Sequence, residues 1–234
     1  MRLLYVPNLI VGNIELPEEE SRHAIKVLRA RVGDTFKLID GKGGSANAEI
    51  LEVGKRNCIV SVNEIQHSPE NSPKLTLLVS PTKQTERFEW FLEKSVEIGV
   101  DRIIPVWTSR SERKVEKHER WNKVIVSAMK QSGRSWLPVL ENACSFDKVV
   151  KLVNQPILIA HCIESLDTEK PHLLSALKPD EDACIAIGPE GDFTSDEVEL
   201  ALKNGGIEIC LGKSRLRTET AAIVSTTYFR ALQQ

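Results

Sequence analysis

The alternation of short apolar runs with segments of helical periodicity, from about residue 75 onwards, constrains the fold most strongly. Continuous apolar runs occur at "LTLLVS" (75–80), "RIIPVW" (102–107), "PILIAH" (156–161), "ACIAIG" (183–188) and "IEICLG" (207–212). Such runs are typical of strands buried on both faces of a parallel sheet. The alternation therefore predicts an α/β domain whose ligand crevice lies at the carboxyl ends of the strands.

Two segments between these runs have the spacing of amphipathic helices. "TERFEWFLEKSVEIG" places Phe88, Leu92 and Ser95 on one face and ends at Gly99. "HERWNKVIVSAMKQSG" does the same with the residues Trp121, Ile125 and Ala128, before Gly133. Apolar residues three or four positions apart share one face of a helix. We expect both tryptophans of these segments, Trp90 and Trp121, to lie in the core.

The first seventy residues have a different pattern. Short stretches rich in β-forming residues, "LLYV" (3–6), "TFKLID" (35–40), "SANAEILEV" (45–53) and "NCIVSVNEI" (57–65), alternate with glycine turns. One helix interrupts them, with Ala24, Val27 and Leu28 predicted on its buried face. This spacing predicts a small β-barrel. The polar segment "HSPENSPK" (67–74) reads as a linker, so the predicted domains are 1–70 and 71–234.

Composition excludes several classes of protein. A net charge of −2 and a pI near 6.3 argue against a protein that coats nucleic acid through bulk charge. Local basic clusters at 21–31 and 108–123 are either RNA contacts or solvated helix faces. No apolar run approaches the roughly 18 residues of a membrane span. The five cysteines form no CxxC pair and the five histidines no ligand spacing, which favours free thiols in a reducing cytoplasm and no metal.

Two sharp loops follow the last two predicted strands. The first, "GPEGDF" (188–193), precedes a helix that Thr194 and Glu197 can cap together, and Gly205 and Gly206 end that helix. The second, "LGKSRLR" (211–217), precedes Thr218, a candidate cap for the last helix. Glycines in such loops let the backbone approach a ligand or a neighbouring segment closely.

The charge of the first loop narrows the choice of ligand. The chain contains neither GxGxxG nor GxxxxGK[ST], so Rossmann dinucleotide binding and P-loop nucleotide hydrolysis lose their main evidence. Diphosphates favour backbone amides without nearby negative charge. An acidic loop beside a glycine-containing one suits a neutral or positively charged ligand better, and a sulfonium cofactor fits that description.

The segment "IGPEGDFTSDEVELALKNGGIEICLGKSRLRTETA" resembles the C-terminal signature of the SPOUT methyltransferases, and within them the RsmE family. The family pattern is GPEGG followed, about twenty residues on, by LG-x-x-ILRTETA. Asp192 replaces the second glycine of that pair, and "SRLR" replaces "RILR". The segments "SRHAIKVLRARVGDTFKLIDGKG", "KQTERFEWFLEKSVEIGVDRIIPVWTSRSERK" and "SAMKQSGRSWLPVL" resemble three further family segments in the same order.

This resemblance implies a fold and an activity. The expected fold is a PUA-like β-barrel that binds RNA, followed by a SPOUT domain with a parallel sheet and a deep trefoil knot. The expected activity is S-adenosylmethionine-dependent methylation of a uridine at N3 in the 3′ region of 16S ribosomal RNA. The expected partners are 16S rRNA or the small ribosomal subunit and a second copy of the chain, in the cytoplasm, without metal or membrane.

The resemblance also assigns site residues. The cofactor pocket is expected at three strand exits, formed by Ala160, His161, Gly188, Pro189, Glu190, Gly191, Leu211, Gly212, Ser214, Arg215, Leu216, Arg217, Glu219 and Thr220. Arg217 is the first candidate for a direct catalytic role, because a guanidinium could stabilise charge on a uracil carbonyl. Glu190 is either a general base or a structural group, and Glu219 suits the helix dipole. The RNA contacts are expected from Arg22, His23, Arg29, Lys83, Arg87, Arg110 and Arg134.

Two alternatives stay open. A SPOUT methyltransferase could act on another RNA, such as a transfer RNA. A relative that has lost catalysis could bind RNA with the same fold. Because fold alone does not determine function, the sequence favours ribosomal RNA only by analogy.

Overall fold

The computed structural model describes residues 3–112, 114–163 and 170–233, which divide into two compact units. The first contains the residues up to Glu70 together with Val126–Leu137, and the second contains Asn71–Ile125 and the residues from Pro138 onwards. Arg113, part of the second basic cluster, lies outside the described residues. No helix within these ranges is long and apolar enough to span a membrane.

The first unit is a curved, mostly antiparallel sheet with one helix. Its elements are β1 (Leu3–Tyr5), β2 (Gly12–Glu15), α1 (Glu18–Lys26), β3 (Thr35–Ile39), β4 (Gly44–Val53), β5 (Cys58–Val62) and β6 (Gln66–His67). The strands follow the order β1-β3-β4-β5-β2, and β6 pairs with β4. Leu4 of β1 and Ile14 of β2, the strands at the two ends of this order, belong to one core. The sheet therefore curls around that core, as a PUA-like barrel does.

Helix α1 corrects one predicted core position. Ala24 is buried and Leu28 packs against the core, but Val27 is 65% exposed. The helix ends at Lys26, and Arg29 adopts a left-handed φ of 51°. Helical spacing does not extend past the end of a helix, so the interpretation of Val27 as a buried residue was wrong.

The second unit is a parallel sheet with helices around it. Its strands are β7 (Leu75–Val79), β8 (Arg102–Trp107), β9 (Val139–Leu140), β10 (Cys144–Ser145), β11 (Ile157–Ala160), β12 (Ala183–Ile187) and β13 (Ile207–Ile209). Its helices are α2 (Thr85–Ile98), α3 (His118–Ser132), α4 (Phe146–Leu152), α5 (Leu173–Ala176), α6 (Ser195–Lys203) and α7 (Thr218–Leu232). The residues of α3 from Val126 on are grouped with the first unit.

The strand order β10-β8-β7-β12-β11-β13, all parallel, confirms the predicted parallel sheet. Every residue of β12 is buried, as its continuous apolar run predicted. Burial raises the pKa of the Cys184 thiol in this strand to about 12. All five cysteines are free, and Cys162 is the exposed one.

Helix ends in the second unit follow their local signals. Thr194 accepts the backbone N–H of Glu197 while the Glu197 carboxylate accepts the backbone N–H of Thr194, so the predicted capping box is present. Gly99 follows α2 with a φ of 127°, which glycine adopts without strain. Each signal depends on residues within one turn of the helix end, which is why the sequence alone could predict it.

Helix α2 corrects the prediction for Trp90. Phe88, Phe91 and Leu92 are buried on the face of α2 that packs against the unit, and Trp121 is also buried. Trp90 is 47% exposed. It lies two residues from both Phe88 and Leu92, which places it on the opposite side of the helix.

Arg230, near the end of α7, connects the last helix to the start of β7. Its guanidinium donates to the carbonyl oxygens of Gly99 (2.8 Å) and Pro73 (3.0 Å) and pairs with the Asp101 carboxylate. Asp101 in turn accepts the backbone N–H of Leu75 at 2.7 Å. Both charged side chains are mostly buried, so each depends on the other for compensation.

Arg230→Ala should therefore lower the free energy of unfolding by about 3 kcal/mol or more, because it leaves a buried carboxylate unpaired. Arg102→Ala is the matched control, since its ion pair with Glu141 is exposed and is expected to contribute about 1 kcal/mol or less. Urea denaturation of the two variants measures the difference. Equal losses would contradict the assigned role of Arg230.

Candidate active site

Three neighbouring strands of the second unit end at the same level. Ala160 at the end of β11 pairs with Ile187 of β12 on one side and with Ile209 of β13 on the other. Because the strands are parallel, the segments that follow them emerge at one edge of the sheet. The two sharp loops, 188–193 and 210–217, are therefore adjacent although about twenty residues separate them along the chain.

A cavity of about 520 Å³ lies between these loops. It brings together most of the predicted cofactor residues, namely Ala160, His161, Gly188, Pro189, Glu190, Leu211, Gly212, Ser214, Arg215, Leu216 and Arg217. Sequence reasoning missed other lining residues, among them Cys162, Asp192, Ile209 and Ala221. Gly191, Glu219 and Thr220 are not among the residues that line it.

Thr218 joins the two loops. Its Oγ1 donates to the carbonyl oxygen of Gly188 at 2.9 Å, and both groups are buried. The prediction that Thr218 caps α7 was wrong, because Arg217 holds the cap position and Thr218 is the first helical residue. Its hydroxyl is used for a contact thirty residues away in the chain, which no local pattern reveals.

Asp192 adopts the conformation that the family pattern gives to a glycine. Its φ is 65°, in the left-handed region, which aspartate tolerates better than most residues when its side chain bonds locally. Oδ1 accepts the backbone N–H of Phe193 at 2.8 Å, and Oδ2 accepts the backbone N–H of Cys162 at 2.7 Å. The aspartate thus stabilises its own turn and links it to the end of β11.

The other acidic group of this loop is also engaged in the structure. Glu190 is exposed, and its Oε1 accepts the backbone N–H of Lys83 at 3.0 Å. Its carbonyl oxygen accepts from Arg215 at 3.2 Å. These contacts support the structural interpretation of Glu190. The carboxylates of Asp192 and Glu190, which make this loop acidic, therefore stabilise the loop itself.

The glycines of this loop make close contacts within the protein. A Cβ on Gly188 would lie 3.1 Å from ring carbons of Phe193. A Cβ on Gly191 would lie 3.2 Å from the Cβ of Arg110. The Arg110 guanidinium also donates to the carbonyl oxygens of Gly191 (2.8 Å) and Phe193 (3.1 Å). Arg110, predicted to contact RNA, therefore supports the outer side of the loop.

His161 is held in one neutral form at the end of β11. Lys170 Nζ donates to Nδ1 at 3.0 Å, so Nε2 carries the proton and donates to the Glu208 carboxylate at 2.9 Å. Burial, and next the positive charge of Lys170, lower the pKa of His161 below its ordinary value. Lys170 also donates to the carbonyl oxygens of His161 and Ile163. These bonds join Lys170 to the residues at the end of β11.

The predicted RNA contacts fall on both units. In the first, Arg22 is exposed and pairs with Glu18, Arg29 is exposed, and His23 and Arg134 are half-buried. In the second, Lys83 pairs with Glu112 at 2.7 Å, and Arg87 Nε lies 3.9 Å from Glu219. No group of three potential metal ligands occurs in the part of the chain that the structure describes.

Comparison with known proteins places this geometry in a family. The model of the RNA methyltransferase domain matches residues 69–230, and that of the RNA methyltransferase PUA domain matches residues 16–63. The ribosomal RNA small subunit methyltransferase E of Rickettsia conorii is 33% identical over 98% of this chain and 95% of its own length. The chain belongs to the RsmE family of RNA methyltransferases.

Solved structures of RsmE-like proteins have the same fold. A probable rRNA methyltransferase from Porphyromonas gingivalis is 37% identical and superposes with a TM-score of 0.90 over 100% of this chain and 98% of its own. The ribosomal RNA small subunit methyltransferase E of Neisseria gonorrhoeae, bound to S-adenosylmethionine, is 30% identical, with a TM-score of 0.87 over the same shares. The mixed α/β architecture with an N-terminal PUA-like domain is thereby confirmed.

Thr218→Val should separate the two loops while preserving side-chain volume. It leaves the buried Gly188 carbonyl without its donor, which we expect to lower the free energy of unfolding by about 1–3 kcal/mol. Because the two loops form the cavity, calorimetry should also show a weaker affinity for S-adenosylmethionine, the ligand of the Neisseria relative. Thr227→Val is the control, since Thr227 makes an exposed bond to Ile223 within the same helix. Unchanged affinity in Thr218→Val would show that the link is dispensable.

The lowered pKa of His161 makes stability depend on pH. An unfolded chain takes up a proton near the ordinary pKa of 6.5, whereas the folded chain resists it until lower pH. The stability contribution of neutral His161 is therefore complete above about pH 6.5 and falls as the pH drops below it. His161→Asn should reduce the decrease in Tm between about pH 7.5 and 5.5. An identical decrease in both proteins would contradict this assignment.

Proposed function

We propose that this protein transfers the methyl group of S-adenosylmethionine to N3 of a uridine in the 3′ region of 16S ribosomal RNA. The observation that supports it most is the meeting of loops 188–193 and 210–217 over one cavity, through Thr218 and Gly188. This arrangement occurs in an RsmE family member, and one similar relative is bound to the same cofactor.

The residues around the cavity fit such a cofactor. The volume of about 520 Å³ falls in the usual range for small-molecule sites. Ile187, Ile209 and Leu211 give it apolar walls, while the strand exits supply backbone polar groups. When bound, S-adenosylmethionine supplies an activated methyl group. Loops 188–193 and 210–217 would hold and orient it, and the burial of the apolar walls would exclude water from the adenine ring.

Arg217 is the residue we assign to the acceptor side of the reaction. It is exposed, lines the cavity and lies immediately before α7, and its guanidinium makes no hydrogen bond or ion pair with the described residues. A guanidinium there can stabilise the negative charge that develops on a uracil carbonyl as N3 loses its proton. For Glu190 we favour the structural role over that of general base, because its carboxylate accepts the Lys83 N–H.

The predicted RNA contacts complete the proposal. Arg22, His23, Arg29 and Arg134 of the first unit and Lys83 of the second would contact the phosphate backbone, whereas the Arg110 guanidinium is bonded to loop carbonyls and Arg87 lies near Glu219. Such contacts give affinity and orientation without reading sequence. The PUA domain match at residues 16–63 supports RNA binding by the first domain. We propose that this domain spans residues 1–70 and the methyltransferase domain residues 71–234.

We also propose that the second domain contains the deep trefoil knot. After β13 the chain must return past β11 to reach α7, which packs against β7 and β12. On the way, the backbone N–H of Cys210 donates to the carbonyl oxygen of Pro171 (3.0 Å), and the carbonyl oxygen of Cys210 accepts the backbone N–H of Leu173 (2.9 Å). The segment that follows β13 therefore runs beside the connection from β11 to β12, as a threaded chain requires.

A homodimer in the cytoplasm is the proposed working form. The cavity wall from Gly212 to Arg215 is exposed, and a partner subunit would cover it. Light scattering of the purified protein tests the dimer, and a monomer at micromolar concentration would contradict it.

The substrate assignment is tested with small ribosomal subunits that lack the modification. The protein should transfer label from methyl-labelled S-adenosylmethionine to 16S rRNA, and mass spectrometry of nucleosides should detect N3-methyluridine. Label in transfer RNA instead would favour another RNA target. Absence of cofactor binding in calorimetry would indicate a relative that has lost catalysis.

Arg217→Ala should lower kcat by about 100-fold or more, the usual scale for loss of a group that stabilises developing charge. Its exposed side chain predicts an unchanged Tm, and calorimetry of cofactor binding separates a loss of turnover from a loss of affinity. Arg217→Lys is the matched variant, because it keeps the charge and loses the planar fork. Full turnover in Arg217→Ala would exclude the residue from the reaction.

A further inference from the structure

An exposed tryptophan lies in a second depression of the methyltransferase unit. This depression, about 630 Å³ in volume, is lined by Trp90 and Arg87 of α2, by Glu219 and Thr220 of α7, and by residues 215–217. Trp90 is 47% exposed, although a tryptophan is usually well buried. An exposed aromatic ring bordered by charged groups can stack on a nucleobase.

The depression shares a wall with the cofactor cavity. Arg215, Leu216 and Arg217 line both. The depression and the cofactor cavity therefore adjoin along this loop. Methyl transfer requires the acceptor atom to lie next to the donor, so an acceptor held in the depression must reach past residues 215–217 towards the cofactor.

The charged groups of the depression have an arrangement that suits a nucleobase. Glu219 is 7% exposed, and its closest charged partner, Arg87 Nε, lies at 3.9 Å, which is too long for a hydrogen bond. The Glu219 carboxylate thus has acceptor capacity, and Arg87 and Arg217 line the same depression. A uracil presents one N–H donor between two carbonyl acceptors, which complements a site that contains one such carboxylate and two guanidinium groups.

The depression offers both acceptors and donors. Glu86 and Glu219 line it together with Arg87, Arg215 and Arg217, and a phosphate, which has no N–H to donate, would leave the two carboxylates unused. A base stacked on an aromatic side chain is, in contrast, a recurrent way in which proteins hold single-stranded RNA. The depression therefore favours the base over the backbone.

We propose that this depression receives the acceptor uracil, with Trp90 against the ring and Glu219 as the general base. The inference rests on the proposed N3 methylation and names the acceptor site for it. Glu219 takes the N3 proton, and the N3 electron pair attacks the methyl carbon. The N3–carbon bond forms as the carbon–sulfur bond breaks, and the bonding pair stays on sulfur, leaving a neutral thioether.

This assignment changes the role of Glu219. The resemblance placed it among the cofactor residues, yet it lines the neighbouring depression and not the cofactor cavity. Its position in the first turn of α7 keeps the charged carboxylate close to the helix N-terminus, where negative charge is favoured.

The general base is tested with Glu219→Gln, with Glu86→Gln as the matched control on the same depression. We expect Glu219→Gln to lower kcat at neutral pH by 100-fold or more, with cofactor affinity unchanged in calorimetry. Its residual rate should increase with pH more steeply than that of the wild type, because N3 then ionises without a protein base. Wild-type turnover and pH dependence in Glu219→Gln would overturn the assignment.

The stacking role is tested with Trp90→Ala and Trp90→Phe. Trp90→Ala should weaken binding of a 16S rRNA fragment that contains the target by about tenfold, as expected for loss of one stacked base, whereas Trp90→Phe should retain most of the affinity. Photo-crosslinking with a 5-bromouridine at the target position should label a peptide of α2 or α7. Labelling elsewhere, with unchanged RNA affinity in Trp90→Ala, would overturn the proposal.

Two further outcomes separate this inference from its alternatives. If Trp90→Ala converts a dimer into a monomer while RNA affinity per folded chain is unchanged, a second copy of the chain occupies the depression and the inference fails. If the wild-type protein produces no N3-methyluridine on any RNA, the proposed function itself fails. Methylation that is insensitive to Trp90→Ala and Glu219→Gln would remove only the acceptor site.

Discussion

The parallel pairing of β11 between β12 and β13 is the constraint on which the site depends. Because Ala160 is level with Ile187 and with Ile209, two loops from different parts of the chain begin side by side. The buried bond from Thr218 to the Gly188 carbonyl then holds them together. A shift of one strand by one residue would reverse the faces of its side chains and separate these partners, so the cavity depends on the register of the sheet.

The replacement of a family glycine by Asp192 shows how a chain can keep a turn while changing its residue. A left-handed φ costs most residues about 1–2 kcal/mol, and the Asp192 carboxylate offsets this by accepting two backbone N–H groups. One of these belongs to Cys162, so the substitution also links β12's loop to the end of β11. Negative charge in this loop therefore serves the backbone, and ligand charge explains only part of its composition.

The predictions that succeeded and failed differ in the range of the interactions behind them. The Thr194–Glu197 capping box and the end of α2 at Gly99 each depend on neighbours within one turn, and both were confirmed. Val27, Trp90 and Thr218 were assigned from spacing or from a local pattern, and all three were wrong. The burial or role of each of these residues depends on where its helix begins or ends, or on which element packs against that helix. Local periodicity predicts neither.

The amino-acid sequence by itself determined five strands of the parallel sheet, because burial on both faces requires continuous apolar runs. It also determined four of the helices around them and the two loops at the strand ends, but not β9, β10, α4 or α5. It also indicated most residues of the cofactor cavity through the family motifs. Only the tertiary structure decided that Glu219 faces the depression of Trp90, that Arg110 supports a loop, and that Thr218 bonds to Gly188. These facts arise from side-chain contacts between residues about 30 to 130 positions apart, and such contacts follow from packing rather than from any local pattern.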